Sequence, residues 1–145
     1  MCKYQYFLTK GQTHPTPFLV SQCQAIHARS IFPCQDTPDV KSTFDFNIRS
    51  HLPVLASGLP TGSKDFKPGK GDAPGTLLHT FKQEIPIPSY LFALASGDLA
   101  CASIGPRSTV WTGPEELQGC KWELENDMEK FLEAAESIVY PYAWT

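Results

Sequence analysis

Long apolar runs are missing from this chain. None approaches the roughly 18 residues that a membrane-spanning helix needs, so no membrane span is expected. Excess positive charge is missing too: 12 Lys and Arg stand against 15 Asp and Glu, for a net charge of −3. That balance argues against nucleic acid or an anionic membrane as the main partner. The five cysteines, Cys2, Cys23, Cys34, Cys101 and Cys120, contain no CxxC pair, so neither a zinc knuckle nor a thioredoxin-type site is expected. The opening "MCKYQYFLTKGQ" lacks the charged, apolar and small-residue succession of a signal peptide. Reduced thiols in a cytoplasmic setting follow as the expectation. Uninterrupted helix-forming stretches are scarce, because 13 prolines punctuate the chain and exclude long helices almost everywhere.

What is present fits one globular domain. The chain has 145 residues, 41% of them apolar and 19% charged, enough to bury a core and not a disordered composition. Residues 1–16 carry weak pattern and read as a poorly fixed N-terminal segment. "FLVSQCQ" (Phe18–Gln24) reads as a short strand, and "AIHARSIF" (Ala25–Phe32) as one or two helical turns stopped by Pro33. "VKSTFDFNIR" alternates: Val40, Ser42, Phe44, Phe46 and Ile48 share one face, with polar residues between them. That period of two predicts a half-buried antiparallel strand.

"PVLAS" (Pro53–Ser57) predicts another short strand. Leu59–Gly75 is rich in Gly, Pro, Lys and Asp and reads as a mobile hairpin loop; its GKGD lacks the spacing and flanks of a phosphate-binding loop. Pro86 and Pro88 are expected to split two strands or mark an edge. "YLFALAS" (Tyr90–Ser96) is apolar on both faces and predicts a strand buried on both, and "RSTVWTG" (Arg107–Gly113) a further strand. From Asn126 to Val139 the period changes. Met128, Phe131, Leu132, Ala135, Ile138 and Val139 form one stripe of an amphipathic helix, with Asn126 or Asp127 as cap and Pro141 as stop. Met128, Phe131 and Leu132 are expected to be core. A lone helix of this length is marginal, so its stripe needs a partner surface.

The densest chemistry lies in "SQCQAIHARSIFPCQD" (Ser21–Asp36). Gln22 and Gln24 either satisfy backbone groups at a bend or bind something. Cys23 and His27 stand four residues apart, as a thiol and base can on a helix, but nothing supplies an orienting third group or an oxyanion hole. His27 and Arg29 are expected to pair with carbonyls or with Asp36, and Asp36 to tether the bend by accepting backbone N–H groups. Cys34 reads as a small packing residue.

"QCQAIHARSIFPCQDTP", followed in order by "FKQEIPIPSYLFALASGDL", "IGPRSTVWTGP" and "WELENDMEKFLEAAESIVYPYAW", resembles the N-terminal domain of the leukotriene A4 hydrolases. These are bifunctional zinc aminopeptidases and epoxide hydrolases among the gluzincins of peptidase family M1, and the likeness is greatest to fungal members. The resemblance implies a mainly β fold, an antiparallel saddle-like sheet followed by one C-terminal α-helix. It implies an incomplete N-terminal domain over 17–123, and over 124–145 the first helix of a thermolysin-like catalytic domain. The family motifs GxMEN and HExxH do not occur, and no two of His14, His27, His51 and His79 stand four apart. Zinc is therefore implied for the full-length family but not expected in this chain. Gln24 and Ala25 are implied to contact a peptide beside its N-terminal residue. Gln22 is implied to lie nearby, in the pocket shared with the epoxide substrate, and Cys23 is implied to be substrate-binding with them. The implied partners are a peptide or lipid epoxide and a catalytic domain, with no nucleic acid and no membrane. The alternative is a free-standing β-rich module that binds peptides or another chain at its sheet edges.

Overall fold

Every strand pair among the described residues is antiparallel. The structure, a computed structural model, describes residues 4–6, 17–65 and 75–142. The chain divides into two compact units, Met1–Asp98 and Leu99–Thr145.

In the first unit, strands β1 (Tyr4–Tyr6) and β2 (Pro17–Val20) precede β3 (Lys41–Ser50), β4 (Val54–Ala56), β5 (Leu59–Asp65), β6 (Leu77–Pro88) and β7 (Leu94–Ser96). They form one sheet in the order β1-β2-β7-β4 and a second in the order β3-β6-β5. The alternation expected of β3 is realised. Phe46 is buried and Phe44 and Ile48 half-buried, while Thr43, Asp45, Asn47 and Arg49 stay exposed. Phe46, Val54 and Phe81 form the core, with Phe44, Ile48, Ala56, Phe92 and Leu94 packed on it. Each large side chain fully buried there gains about 1.5–3 kcal/mol.

Three expectations are corrected in this unit. Leu59–Asp65 is not loop but β5, paired with β6 from Leu59 opposite Lys82 to Asp65 opposite Leu77. Main-chain pairing carries it in place of apolar pattern, and an irregularity between Pro60 and Gly62 absorbs the residues least suited to a ladder. Residues 66–74, the rest of the expected loop, lie outside the described residues. So does most of 1–16, of which Tyr4–Tyr6 is strand β1.

Second, Pro86 does not split the strand: β6 is a 12-residue element that runs through Pro86 and ends at Pro88. The physical reason is that β5 stops opposite Lys82. Beyond that point β6 has only β3 beside it, and Pro86 falls in the irregularity between Ser42 and Phe44 of that pairing. The prolines thus occupy a local edge, where a missing N–H costs little. Third, Tyr90–Ser96 is not one doubly buried strand. It opens as a 3-10 turn, Ser89–Leu91, with Leu91 exposed, and only Leu94–Ser96 pairs, half-buried.

The second unit holds the hairpin β8 (Ala100–Gly105) and β9 (Ser108–Thr112), then α1 (Leu117–Leu124) and α2 (Met128–Ile138). The helix expected over Asn126–Val139 is α2. The short α1 has no apolar period that would announce it, and packs on both strands of the hairpin. The expectation that Met128, Phe131 and Leu132 are core is corrected. No residue of α2 is buried, and Phe131 is 67% and Ile138 81% exposed. The helix is held instead by Arg107, which follows the β8 strand. Its guanidinium reaches Glu129 at 2.7 Å and Glu136 at 2.8 Å.

Candidate functional site

The site segment begins where β2 leaves its ladder. Ser21 prolongs the pairing with β7 by a reciprocal contact: its N–H donates to the Leu94 carbonyl at 2.9 Å, and the Leu94 N–H donates to its hydroxyl at 2.8 Å. Next the chain turns. Cys23 is 2% exposed, and its carbonyl accepts the His27 N–H at 2.9 Å. Ala28, fully buried, opens a 3-10 turn that runs to Ser30. Two small apolar side chains thus plug the segment into the interior at Cys23 and Ala28, while Gln22 just before them and Gln24 and Ala25 between them are exposed.

Gln22 and Gln24 hold each other. The Gln24 N–H donates to the Gln22 side-chain carbonyl at 2.5 Å, and the Gln22 amide donates to the Gln24 side-chain carbonyl at 3.3 Å. The Gln24–Ala25 peptide bond is cis. Each amide retains unused donor or acceptor capacity toward solvent. What results is an uncharged, directional surface on an anchored turn, suited to hydrogen-bonding a peptide backbone and not to breaking a bond.

The resemblance implies that Cys23 shares a substrate-binding role with the glutamines, but its side chain is buried. The buried thiol thus belongs to the anchor of the turn, while His27 is exposed.

Asp36 closes the segment. Its Oδ2 accepts the Arg29 N–H and Nε–H, both at 3.1 Å, and its main-chain carbonyl accepts an Arg29 Nη2–H at 2.9 Å. Its Oδ1 accepts the Ser89 hydroxyl at 2.6 Å. The Asp36 side chain is 1% exposed, whereas that of Arg29 is 56% exposed. The Ser89 hydroxyl does most to hold the carboxyl below its ordinary range; the Arg29 N–H and guanidinium add to this, and burial opposes it. The expected tether from Asp36 to a backbone N–H is therefore present. The partner that sequence reasoning missed is Ser89, 53 residues away. Its only local signal is its place directly after Pro88, where an extended strand gives way to a turn.

A cleft of about 310 Å3 opens nearby, lined by Phe32, Cys34, Val40, Phe44 and Ser89 among others. Burial pushes the Cys34 thiol up, and the Asp36 charge adds to this, so this thiol is a weak nucleophile at neutral pH. Among the described residues no three His, Cys, Asp or Glu side chains converge in a way that could hold a metal ion. The donors among the described residues do not make a zinc site. No helix among the described residues is long and apolar enough to cross a membrane.

The family model for the peptidase M1 N-terminal domain matches residues 2–91. The chain is 68% identical to a leukotriene A-4 hydrolase homolog of Botryotinia fuckeliana, with 99% of this chain and 23% of that protein covered. It is 66% identical to leucine aminopeptidase 2 of Sclerotinia sclerotiorum, with 99% and 24% covered. The structure of yeast leukotriene A4 hydrolase in complex with bestatin aligns with a TM-score of 0.80 at 47% identity, over 99% of this chain and 21% of that one. This chain spans about a quarter of the length of the curated relatives it matches.

Proposed function

The chain belongs to the peptidase M1 N-terminal domain family, and from that premise we propose that it forms the substrate-facing wall of a leukotriene A4 hydrolase-like zinc aminopeptidase. In this reading residues 17–123 are the β-rich N-terminal domain, and 124–145 begin a catalytic domain that covers the apolar stripe of α2. The enzyme is cytoplasmic, and its substrate is a peptide, or a lipid epoxide, held at its reacting end. The observation that carries the reading is the exposed Gln22–Gln24 amide pair on a turn anchored by Cys23 and Ala28. Neutral amides can orient a peptide bond without disturbing the charge balance of a nearby metal centre. Gln24 and Ala25 meet the substrate, Gln22 lies beside them, and Cys23 fixes the turn from below. Zinc, bound by other parts of the longer enzyme, supplies the Lewis acidity; this chain's own residues bind and orient.

The test is a graft of residues 17–142 into yeast leukotriene A4 hydrolase in place of its matching segment. Hydrolysis of aminoacyl arylamides is expected to survive. Gln24→Ala in the graft is expected to lower kcat/KM about 5- to 10-fold, the loss of roughly one net hydrogen bond, with bound zinc unchanged. Unaltered kinetics in Gln24→Ala would overturn the site assignment. The 145-residue chain alone is expected to show no peptidase activity, and stoichiometric zinc with turnover in it would overturn the larger reading. The exposed Trp122, Phe131, Ile138 and Val139 favour the alternative of an interaction module, for which a folded but inactive graft is the expected result.

A further inference from the structure

We propose that Asp36 and Ser89 are positioning residues for the Gln22–Ala25 turn, a buckle that sets the orientation of the substrate wall. This rests on the reading of that turn as a wall. Between Ser21 and Asp36 the chain has one 3-10 turn and no strand, so little regular backbone structure fixes it. It is fastened instead at both ends to one short stretch, Ser89–Leu94. At the leading end Ser21 and Leu94 exchange two hydrogen bonds. At the trailing end the Ser89 hydroxyl meets Asp36. Arg29, near the middle, is drawn to the same carboxylate through its backbone and its side chain.

Asp36 is thus the single point at which three parts of the molecule meet: the turn that follows the glutamines, the end of the segment, and the turn that ends β6. Its two oxygens face donors only, and it is almost wholly buried. An ionised carboxylate answers all of these donors with charge-assisted bonds; an amide of the same shape keeps them only by turning its NH2 to the Ser89 oxygen, which must then accept, and it has no charge to hold Arg29. In Asp36→Asn the Ser89 bond is therefore reversed and neutral, and the ion pair with Arg29 is lost. That loosens the buckle at the Arg29 side and lets the turn drift. A drift of even about 1 Å at a substrate-orienting group is enough to cost a large part of its effect.

The experiment is a double-mutant cycle in the grafted full-length enzyme, read as kcat/KM with bound zinc measured alongside. Asp36→Asn is expected to lower kcat/KM about 5- to 10-fold, comparable to loss of Gln24 itself, and Ser89→Ala about 3-fold. In a Gln24→Ala background, both substitutions are expected to cost less than about 2-fold, because the group they position is gone. Zinc content stays at the parent value throughout. Ser89→Ala removes one hydroxyl and keeps the buried charge, so it carries the test if Asp36→Asn does not fold. Equal losses with and without Gln24 would show that Asp36 and Ser89 serve only stability, and would overturn the inference. Unchanged kcat/KM in Ser89→Ala and Asp36→Asn, beside a defective Gln24→Ala, would overturn it and leave the wall reading standing. A silent Gln24→Ala would overturn both.

Discussion

Asp36 in the first unit and Arg107 in the second are electrostatic opposites. Asp36 is a buried anion that gathers donors from Arg29 and Ser89. Arg107 is a cation that gathers anions: Glu129 and Glu136, on the same helix, each within 3 Å. Tyr142 joins the second cluster, donating its N–H to Glu136 at 2.8 Å and placing its ring 5.9 Å from the guanidinium. The difference tracks what else holds each unit. Phe46, Val54 and Phe81 already secure the first, so its ion pair is left to orient a loop. In the second, α2 has no buried residue, and the ion cluster itself ties the helix to the hairpin. Where apolar burial supplies cohesion, charge can serve position; where burial is thin, charge must serve attachment.

The largest expected effect tests the apolar half of that comparison. Phe81→Ala, in the core of the first unit, is expected to cost about 3–5 kcal/mol, the transfer and cavity terms together. Phe131→Ala, on the open stripe of α2, is expected to stay within about 0.5 kcal/mol. Urea denaturation of the two variants checks both. A Phe131→Ala loss as large as that of Phe81→Ala would show the stripe to be covered in solution, and the contrast between the units would collapse.

The same contrast explains which parts of the fold were legible. Phe44, Phe46 and Ile48 are readable because a half-buried strand imposes a period of two on its side chains, and the α2 stripe is readable because a helix imposes its own period. Neither period says whether the face is covered, which is why the stripe alone does not reveal that Phe131 is exposed. Leu59–Asp65 is unreadable because its strand is held by main-chain pairing, to which side chains contribute little. The place of Pro86 depends on where β5 stops opposite Lys82, a non-local fact. At the site, Arg29 and Asp36 are close enough in sequence for their pairing to be anticipated. Ser89 is not, because its contact depends on the path of β6. Residue type alone leaves Gln22 and Gln24 open between satisfying the backbone and binding a ligand; the family resemblance points to binding.

Acid tests the ionic half, with a smaller effect. Glu136 is held below the ordinary carboxylate range, chiefly by hydrogen bonds from Arg107 and then by the Tyr142 N–H. A depressed carboxylate contributes stability that is fully present above its unfolded value, about 4.3 for glutamate, and lost as pH falls through the lower folded value. Amide-exchange protection along α2 is therefore expected to decline as pH drops below the ordinary glutamate range. Glu136→Gln should lose part of that protection already at neutral pH, and its gap from the parent should close in acid. A gap of the same size in acid and at neutrality would mean that the attachment of α2 is not ionic.

The smallest expected effect sharpens the picture of the clasp, and it falls on Gly105 at the end of β8. A Cβ added there would lie 3.3 Å from Glu129 Oε2 and 3.8 Å from Glu129 Cβ. The first distance is tighter than ordinary contact, so the glutamate must yield by a few tenths of an ångström. Against this, Gly→Ala at a position whose backbone suits alanine stabilises by about 0.4–1 kcal/mol through the unfolded chain. The sign then depends on whether Glu129 can move. Arg107 grips its other oxygen at 2.7 Å, which restrains it, so Gly105→Ala is expected to be neutral to slightly destabilising, within about 0.5 kcal/mol. In an Arg107→Met background the glutamate is released, the crowding relaxes, and the same substitution should become stabilising. Thermal melts of the four proteins in this cycle measure the coupling. If Gly105→Ala stabilises equally in both backgrounds, Glu129 is free to move in the parent, and Arg107 holds α2 through Glu136 alone.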